Sequence, residues 1–502
     1  MAASDTTVGR RSVAIAAAIS AVLGLWGIGN KSLWVDEAIS LASTKDLVTA
    51  WRGTGGTMAL YYALLRPWAL VSDSPAWIRS LSLAFTLAAL PFIWSCARRA
   101  FNHSVASIAV VITASMPLTV RYSQEARSYA LVLLLSSIGW CALLATNDAD
   151  EADDPRSAKR WMTVYLVVSA ISPLAHGLSI LQFIAQGCFV ALSPQRQMWI
   201  ARLKVPFIAA VATSGTLTAL GASDIASWIP PISLSQFVEL AEVLTSANPV
   251  AMVAMVALIA VGTWQCWKRF KTATDPKARW MSLLPIIWGL VPIASLILIS
   301  FARPYLLARY VVASGPALAM LITFAILGPS ASCQGVASVP NPQASNFSVR
   351  QFAVSVIIIV ALVVGQVALH REPGDDWQGA TAVVGTETKL GDALVFTNPP
   401  TRIPFDAAWD LHDPSGLTPE PFSPVEPVGK LRRFYTIRDP DNLASEMVDS
   451  DFERFWVLSQ KGIGFDDSLT PFLQESEISD SFTVVQNNTL DGGVQVALLE
   501  RK

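Results

Sequence analysis

About eleven apolar runs of membrane-spanning length occupy the chain before residue 371 and none follows it, so lipid is the main solvent this fold must satisfy. The runs fall near 13–29, 76–97, 104–121, 128–146, 161–176, 177–193, 205–222, 249–266, 281–300, 310–328 and 351–370. A hydrocarbon core of about 30 Å needs about 20 apolar residues per helix. Ser172-Pro173 marks either a tight turn or a kink beside the fifth and sixth runs. With 52% hydrophobic and 15% charged residues, the 502-residue chain has too little polar surface for a soluble globule. Its net charge of -2 gives no global attraction for nucleic acid, and none is expected as a partner. The five cysteines lack the close spacing of a zinc or redox motif. Arg10 and Arg11 precede the first run, and Gly29–Ser32 offers no small-x-small cleavage pattern, so the run reads as a retained signal anchor.

Orientation follows from the positive-inside rule. Arg10, Arg11, Arg98, Arg99, Arg156, Lys159, Arg160, Arg202, Lys204 and the cluster at 268–279 all fall on the side of the amino terminus, while the opposite loops are poorer in Lys and Arg. The expectation is a multi-pass plasma-membrane protein with a cytoplasmic amino terminus. Residues 1–370 form an α-helical polytopic membrane domain, and 371–502 form a small extracytoplasmic α/β accessory domain. That tail alternates expected helices (376–389, 441–449, 468–476) with strands (393–397, 433–437, 455–459, 482–486). Between the first two runs, residues 58–71 are too short to span and too apolar to float. They predict a helix in the outer interface with Tyr61, Tyr62 and Trp68 at headgroup depth. The SLSQFVELAEVL stretch ending at Leu244 predicts another surface helix.

Polar clusters recur at the outer ends of the runs. Asp36 and Glu37 are adjacent carboxylates a few residues past the first run. Carboxylates near hydrocarbon are costly and point to function, although Asp36 as a helix N-cap with Glu37 in the first turn explains them equally well. Between the third and fourth runs, Arg121, Glu125 and Tyr129 would share a helix face, with Arg127 projecting elsewhere. Snorkelling explains one arginine there but not two arginines around a glutamate. Arg303 and Arg309 bracket the boundary before the tenth run, and guanidinium groups grip phosphate bidentately. His176 lies at the turn between the fifth and sixth runs, where a hydrogen-bonded structural role competes with one in binding. The topology puts all these groups at one depth and on one face. A base for an acceptor hydroxyl together with cations for a departing phosphate is what transfer of a sugar from a lipid phosphate requires.

The segments LWVDEA, ALYYALLRPW, WIRSLSLAF, YSQEARSYAL, AHGLSILQFIAQ and PYLLARYVVASGPALA together resemble the membrane glycosyltransferases of the GT-C superfamily, in the protein-mannosyltransferase-like and aminoarabinose-transferase-like branch. The resemblance covers about residues 13–330. It implies inverting transfer from a polyprenyl-phosphate sugar to an acceptor hydroxyl on a protein, glycolipid or polysaccharide, at the outer face of the bilayer, with mannose the first sugar to consider. Carried over by position, Asp36 is the general base and Glu37 its neighbour in acceptor or metal binding. Arg127, Arg309 and Arg303 meet the lipid phosphate, and Glu125 orients that site. His176, Tyr61, Tyr62 and Arg79 fall in matching motifs as supporting residues. Some relatives bind a divalent metal at such positions, but no spacing here requires one. The His-Gly pair at 176–177 departs from the family's more usual His-aromatic pair. A lipid-linked-sugar flippase or a non-catalytic membrane subunit are the competing readings, and the lack of internal repeats disfavours the first.

Overall fold

The computed structural model describes residues 2–220, 229–246, 248–328, 348–371, 373–412, 417–423, 440–461 and 467–502. Among these, eight helices are long and apolar enough to cross a membrane: Thr7–Leu25, Pro75–Ala100, Tyr129–Glu151, Arg196–Leu217, Pro249–Thr272, Pro276–Ala302, Ala308–Leu327 and Arg350–Val367. A bent pair, His103–Ser115 and Pro117–Ser123 at 56°, makes a ninth if it is one span. These nine coincide with nine of the expected runs. The other two are the helix Pro155–Ala175, which opens with Arg156, Lys159 and Arg160, and the segment Gly177–Ala191, which is short for a span. The bend lies where Pro117 excludes the helical conformation from Met116, which is extended at φ −67°, ψ 138°.

Helix starts follow a repeated local rule. Asp154, Asn248 and Asp275 each place a side-chain oxygen on free N–H groups of the first turn, and each is followed by a proline whose missing N–H costs nothing there.

Packing divides the chain into two compact units. The first comprises Met1–Trp26, Ser80–Leu220 and Asp224–Arg371. Three of its buried tryptophans find acceptors: Trp140 Nε1 donates to Gln182 Oε1 at 3.2 Å, Trp288 Nε1 to the Ala313 carbonyl at 2.7 Å, and Trp280 Nε1 to the Phe189 carbonyl at 2.7 Å. At Gly262 the Pro249–Thr272 helix meets Gly315–Leu327 so closely that a Cβ would lie 1.9 Å from the Leu321 carbonyl oxygen. Small residues permit this close approach inside a bilayer. Three cations assigned to the amino-terminal side, Arg99, Arg202 and Lys277, share one acidic segment. Asp148 bonds Arg99 at 2.5 Å and lies 3.5 Å from Lys277, Glu151 bonds Lys277 at 2.5 Å, and Asp150 bonds Arg202. Gln124 reaches back to the end of the first helix and donates to the carbonyls of Leu23, Gly24 and Trp26.

The second unit joins Gly27–Arg79 to the chain from Glu372 to Lys502. It holds a five-stranded sheet of β1 (Ala393–Phe396), β2 (Glu420–Ser423), β3 (Arg454–Gln460), β4 (Phe482–Thr489) and β5 (Val494–Arg501), in the order β2-β1-β3-β5-β4. β1 is parallel to both neighbours, while β5 runs antiparallel to β3 and β4. Alternation along β3 sends Phe455 and Val457 into one core with Leu443, Met447 and Phe472, and Trp456 and Leu458 into another with Trp377, Val384 and Phe405. Helices therefore cover both faces, and β1 and β3 read as continuous apolar runs. The expected strands at 393–397, 455–459 and 482–486 are present, whereas the one at 433–437 lies outside the described residues. At the sheet's edge Gly492 adopts φ +69°, and a Cβ there would fall 2.5 Å from the Asp375 Cα.

Candidate functional site

The sequence-marked residues divide between the two units. In the second unit, Trp34 caps the helix Val35–Lys45 in an extended conformation without a side-chain bond, and Asp36 and Glu37 occupy its first turn. Asp36 is therefore not the cap. The two carboxylates share the positive end of the helix, yet they meet different surroundings. Glu37 is 1% exposed, and Asp36 is half-buried.

Glu37 is held by Arg79, whose Nε donates to Oε1 at 2.8 Å and whose Nη2 donates to Oε2 at 2.6 Å. The remaining Arg79 N–H groups go to the carbonyls of Ile28 (2.8 Å), Lys31 (2.9 Å) and Ser32 (2.9 Å). Five bonds thus use the five N–H groups of the guanidinium. Removing either partner of such a buried pair strands a charge at a cost of about 3–5 kcal/mol.

Tyr61 and Tyr62 lie on the helix Ala59–Ala69, as expected, with their side chains turned into the protein. They are 0% and 1% exposed, and their helix packs against Val35–Lys45. Leu64 on the helix and Leu70 and Val71 just past its end are the large aliphatic residues exposed in the segment 58–71. The hydrophobic effect selects the larger aromatic face for the protein interior and leaves the aliphatic one outside. Trp68 stacks on Trp77 at 4.8 Å, and each indole donates to the other residue's carbonyl.

In the first unit, residues 124–128 are not helical, so Arg121, Glu125 and Tyr129 do not share a continuous helix face. The chain turns sharply enough for the Arg127 N–H to reach the Glu125 carbonyl at 2.8 Å. Glu125 still lies 3.6 Å from Arg121. Arg127 is buried at 8% exposure, and its carbonyl accepts from Ser82 Oγ at 3.3 Å.

His176 ends the Pro155–Ala175 helix in an extended conformation, and its Nδ1 accepts from the Leu178 N–H at 3.1 Å. A neutral ring in this setting carries its proton on Nε2. The ring packs against Tyr129 at 5.8 Å and Tyr310 at 5.1 Å. Burial first, then the charges of Arg127 and Arg309, push its pKa down to about 3. That shift removes it as a general base at neutral pH and leaves it a hydrogen-bond donor. The structure thus brings Arg127, His176 and Arg309 together, with half-buried Glu125 adjacent to Arg127 in the chain. Arg303, at the end of the preceding helix, is exposed.

Glu37 and His176, the positions at which the resemblance would place a metal, are engaged otherwise here. Glu37 accepts from Arg79 with both oxygens, and His176 faces two guanidinium charges. Among the described residues no group of three or more His, Cys, Asp or Glu is placed to hold an ion.

No protein-family model matches the chain, and no curated protein matches it by sequence. Solved structures do match by fold. ArnT from Cupriavidus metallidurans in the apo state superposes with a TM-score of 0.59 at 13% identity, over 97% of each chain. The same protein bound to undecaprenyl phosphate gives 0.57 at 13% identity, again over 97% of each. The oligosaccharyltransferase AglB from Archaeoglobus fulgidus, in complex with an inhibitory peptide and a dolichol-phosphate, gives 0.55 at 10% identity, over 90% of this chain and 69% of that one. The chain is a multi-pass membrane protein with a carboxy-terminal α/β domain, and it shares its fold with the ArnT and AglB structures.

Proposed function

We propose that the protein is an inverting glycosyltransferase that moves a sugar from a polyprenyl-phosphate donor to an acceptor hydroxyl at the extracytoplasmic face of the plasma membrane. The observation that carries this reading is the pairing of Arg127 and Arg309 around the neutral, tyrosine-flanked His176. Two guanidinium charges converging on one buried spot, with a neutral donor between tyrosines, suit a phosphate whose charge grows as it leaves. The fold shared with ArnT and AglB, whose structures hold undecaprenyl phosphate and dolichol-phosphate, supports the same donor class.

In this reaction the acceptor oxygen attacks C1 of the sugar, the bond from C1 to the phosphate oxygen breaks, and the phosphate departs with the electron pair. Asp36, half-buried in the first turn of its helix, takes the acceptor's proton. Arg127 and Arg309 meet the developing phosphate charge, and the His176 Nε2–H adds a donor that does not compete for the proton. Each hydrogen bond counts for more in a partly dehydrated site. Glu125 holds the turn carrying Arg127 through its carbonyl, and Arg303 offers headgroup attraction from the surface.

The test is an assay of purified protein with a panel of undecaprenyl-phosphate sugars, mannose first, then arabinofuranose and modified pentoses, against peptide, glycolipid and polysaccharide acceptors. The expected result is transfer with inversion at C1 in wild type and none in Asp36→Asn, which inserts and expresses normally. Movement of lipid-linked sugar across vesicles without transfer would establish the flippase reading instead.

A further inference from the structure

We infer that Arg79 is a positioning residue for this transfer, and that Glu37 is the handle by which it fixes Asp36 rather than a ligand for metal or acceptor. The inference rests on the reading above, because Asp36 is the group positioned.

Residues 26–34 connect two helices without a helical or sheet ladder of their own, and Ile28, Lys31 and Ser32 within them are half-buried. Carbonyls in such a segment that are partly withdrawn from water take donors from elsewhere. Arg79, in the first turns of Pro75–Ala100, supplies them to Ile28, Lys31 and Ser32 at 2.8 to 2.9 Å. The same planar group grips both oxygens of Glu37. One rigid fork therefore ties the turn to the helix that follows it. Lysine, with three N–H groups on one atom, cannot match this geometry.

Consecutive helix residues point about 100° apart. Clamping the Glu37 carboxylate in the interior therefore sets the roll of Val35–Lys45 about its axis, and that roll decides where the adjacent Asp36 points. The turn is also pinned by the carboxy-terminal part of the unit. Ser32 Oγ accepts from the Gln378 N–H at 3.1 Å, and Gly374 packs against Lys31 so closely that a Cβ would come within 3.0 Å of it. A base displaced by about 1 Å can lose about 10²-fold in rate, so a clamp at this place acts on turnover.

The experiment compares Arg79→Lys and Glu37→Gln with wild type in nanodiscs. It reads kcat and KM for the undecaprenyl-phosphate sugar used by wild type, together with hydrogen exchange of the amides of 28–37. The expected result is a fall in kcat of about 10²-fold for Arg79→Lys and at least about 10-fold for Glu37→Gln. Donor KM stays within about threefold, and exchange accelerates in 28–37 but not in the Pro249–Thr272 helix. Glu37→Gln keeps the side chain's shape and decides the matter if Arg79→Lys fails to insert. Unchanged kcat with faster exchange would reduce the clamp to a stability element. A loss confined to donor KM, or lower kcat with unchanged exchange, would mean that Arg79 touches substrate, and either overturns the inference. Wild type that transfers no sugar at all removes the proposed function, while the exchange data still report on the clamp.

Discussion

The ring of His176 lies 5.1 Å from that of Tyr310, tilted by 48°, and the contact keeps an imidazole in the interior where protonation is disfavoured. Its folded-state pKa of about 3 is below the usual value near 6.5. The unfolded chain therefore binds the extra proton between these values, and the folded form loses stability as pH falls through that window. From pH 7 to pH 5 the loss attributable to His176 is about 2 kcal/mol. Thermal unfolding of wild type and His176→Gln across this range checks it: the variant's midpoint should fall less steeply. Parallel curves would show that the ring is protonated in the folded protein.

Arg127 is buried and Arg309 half-buried, whereas Arg303 is exposed. Alanine at Arg127 or Arg309 should reduce kcat/KM for the donor by about 10²- to 10³-fold with acceptor KM little changed. Alanine at Arg303 should alter transition-state stabilisation by less than about 1 kcal/mol. An effect of Arg127→Ala seen only in acceptor KM would sink the phosphate assignment.

At Gly262 there is no room for a methyl group, because the obstacle is the Leu321 backbone rather than a movable side chain. Gly262→Ala should destabilise the protein by about 1–3 kcal/mol, read as a lower midpoint in detergent. Alanine at Gly187, whose Cβ would meet nothing within 4 Å, should be neutral.

Asp148 serves Arg99 and Lys277 at once, with side chains 28% to 35% exposed. Asp148→Ala should cost about 1 kcal/mol, since a network holds better than an isolated surface pair. High salt should shrink the difference. A salt-independent loss would point to packing rather than charge.

Much of this architecture is legible in the chain because lipid imposes length and polarity on every span. Nine of the runs read from the sequence match the long or bent helices, and the apolar strands at 393–396 and 454–460 are visible as runs between turns. The adjacent Asp36 and Glu37 are conspicuous for the same reason, as charges near hydrocarbon. Less legible are pairings set by tertiary contact. Nothing local to Arg79 names Glu37, 42 residues away, as its partner. The break at 124–128 replaces a helix that the spacing of Arg121, Glu125 and Tyr129 favours, because packing overrides weak propensity. The helix Arg402–His412, with a proline in its first turn, and the edge strand β2 were not expected.

The grip of Gln124 on Leu23, Gly24 and Trp26 gives the amino-terminal helix a fixed station in the folded protein. Exchanging it for an unrelated leader of equal hydrophobicity would still deliver the chain to the membrane. The replacement, however, would have to end at the same height and leave the same three oxygens unladdered, or the loop bearing Arg127 would lose its abutment. Fusion and secretion tags at this end therefore belong ahead of the helix, never in place of it.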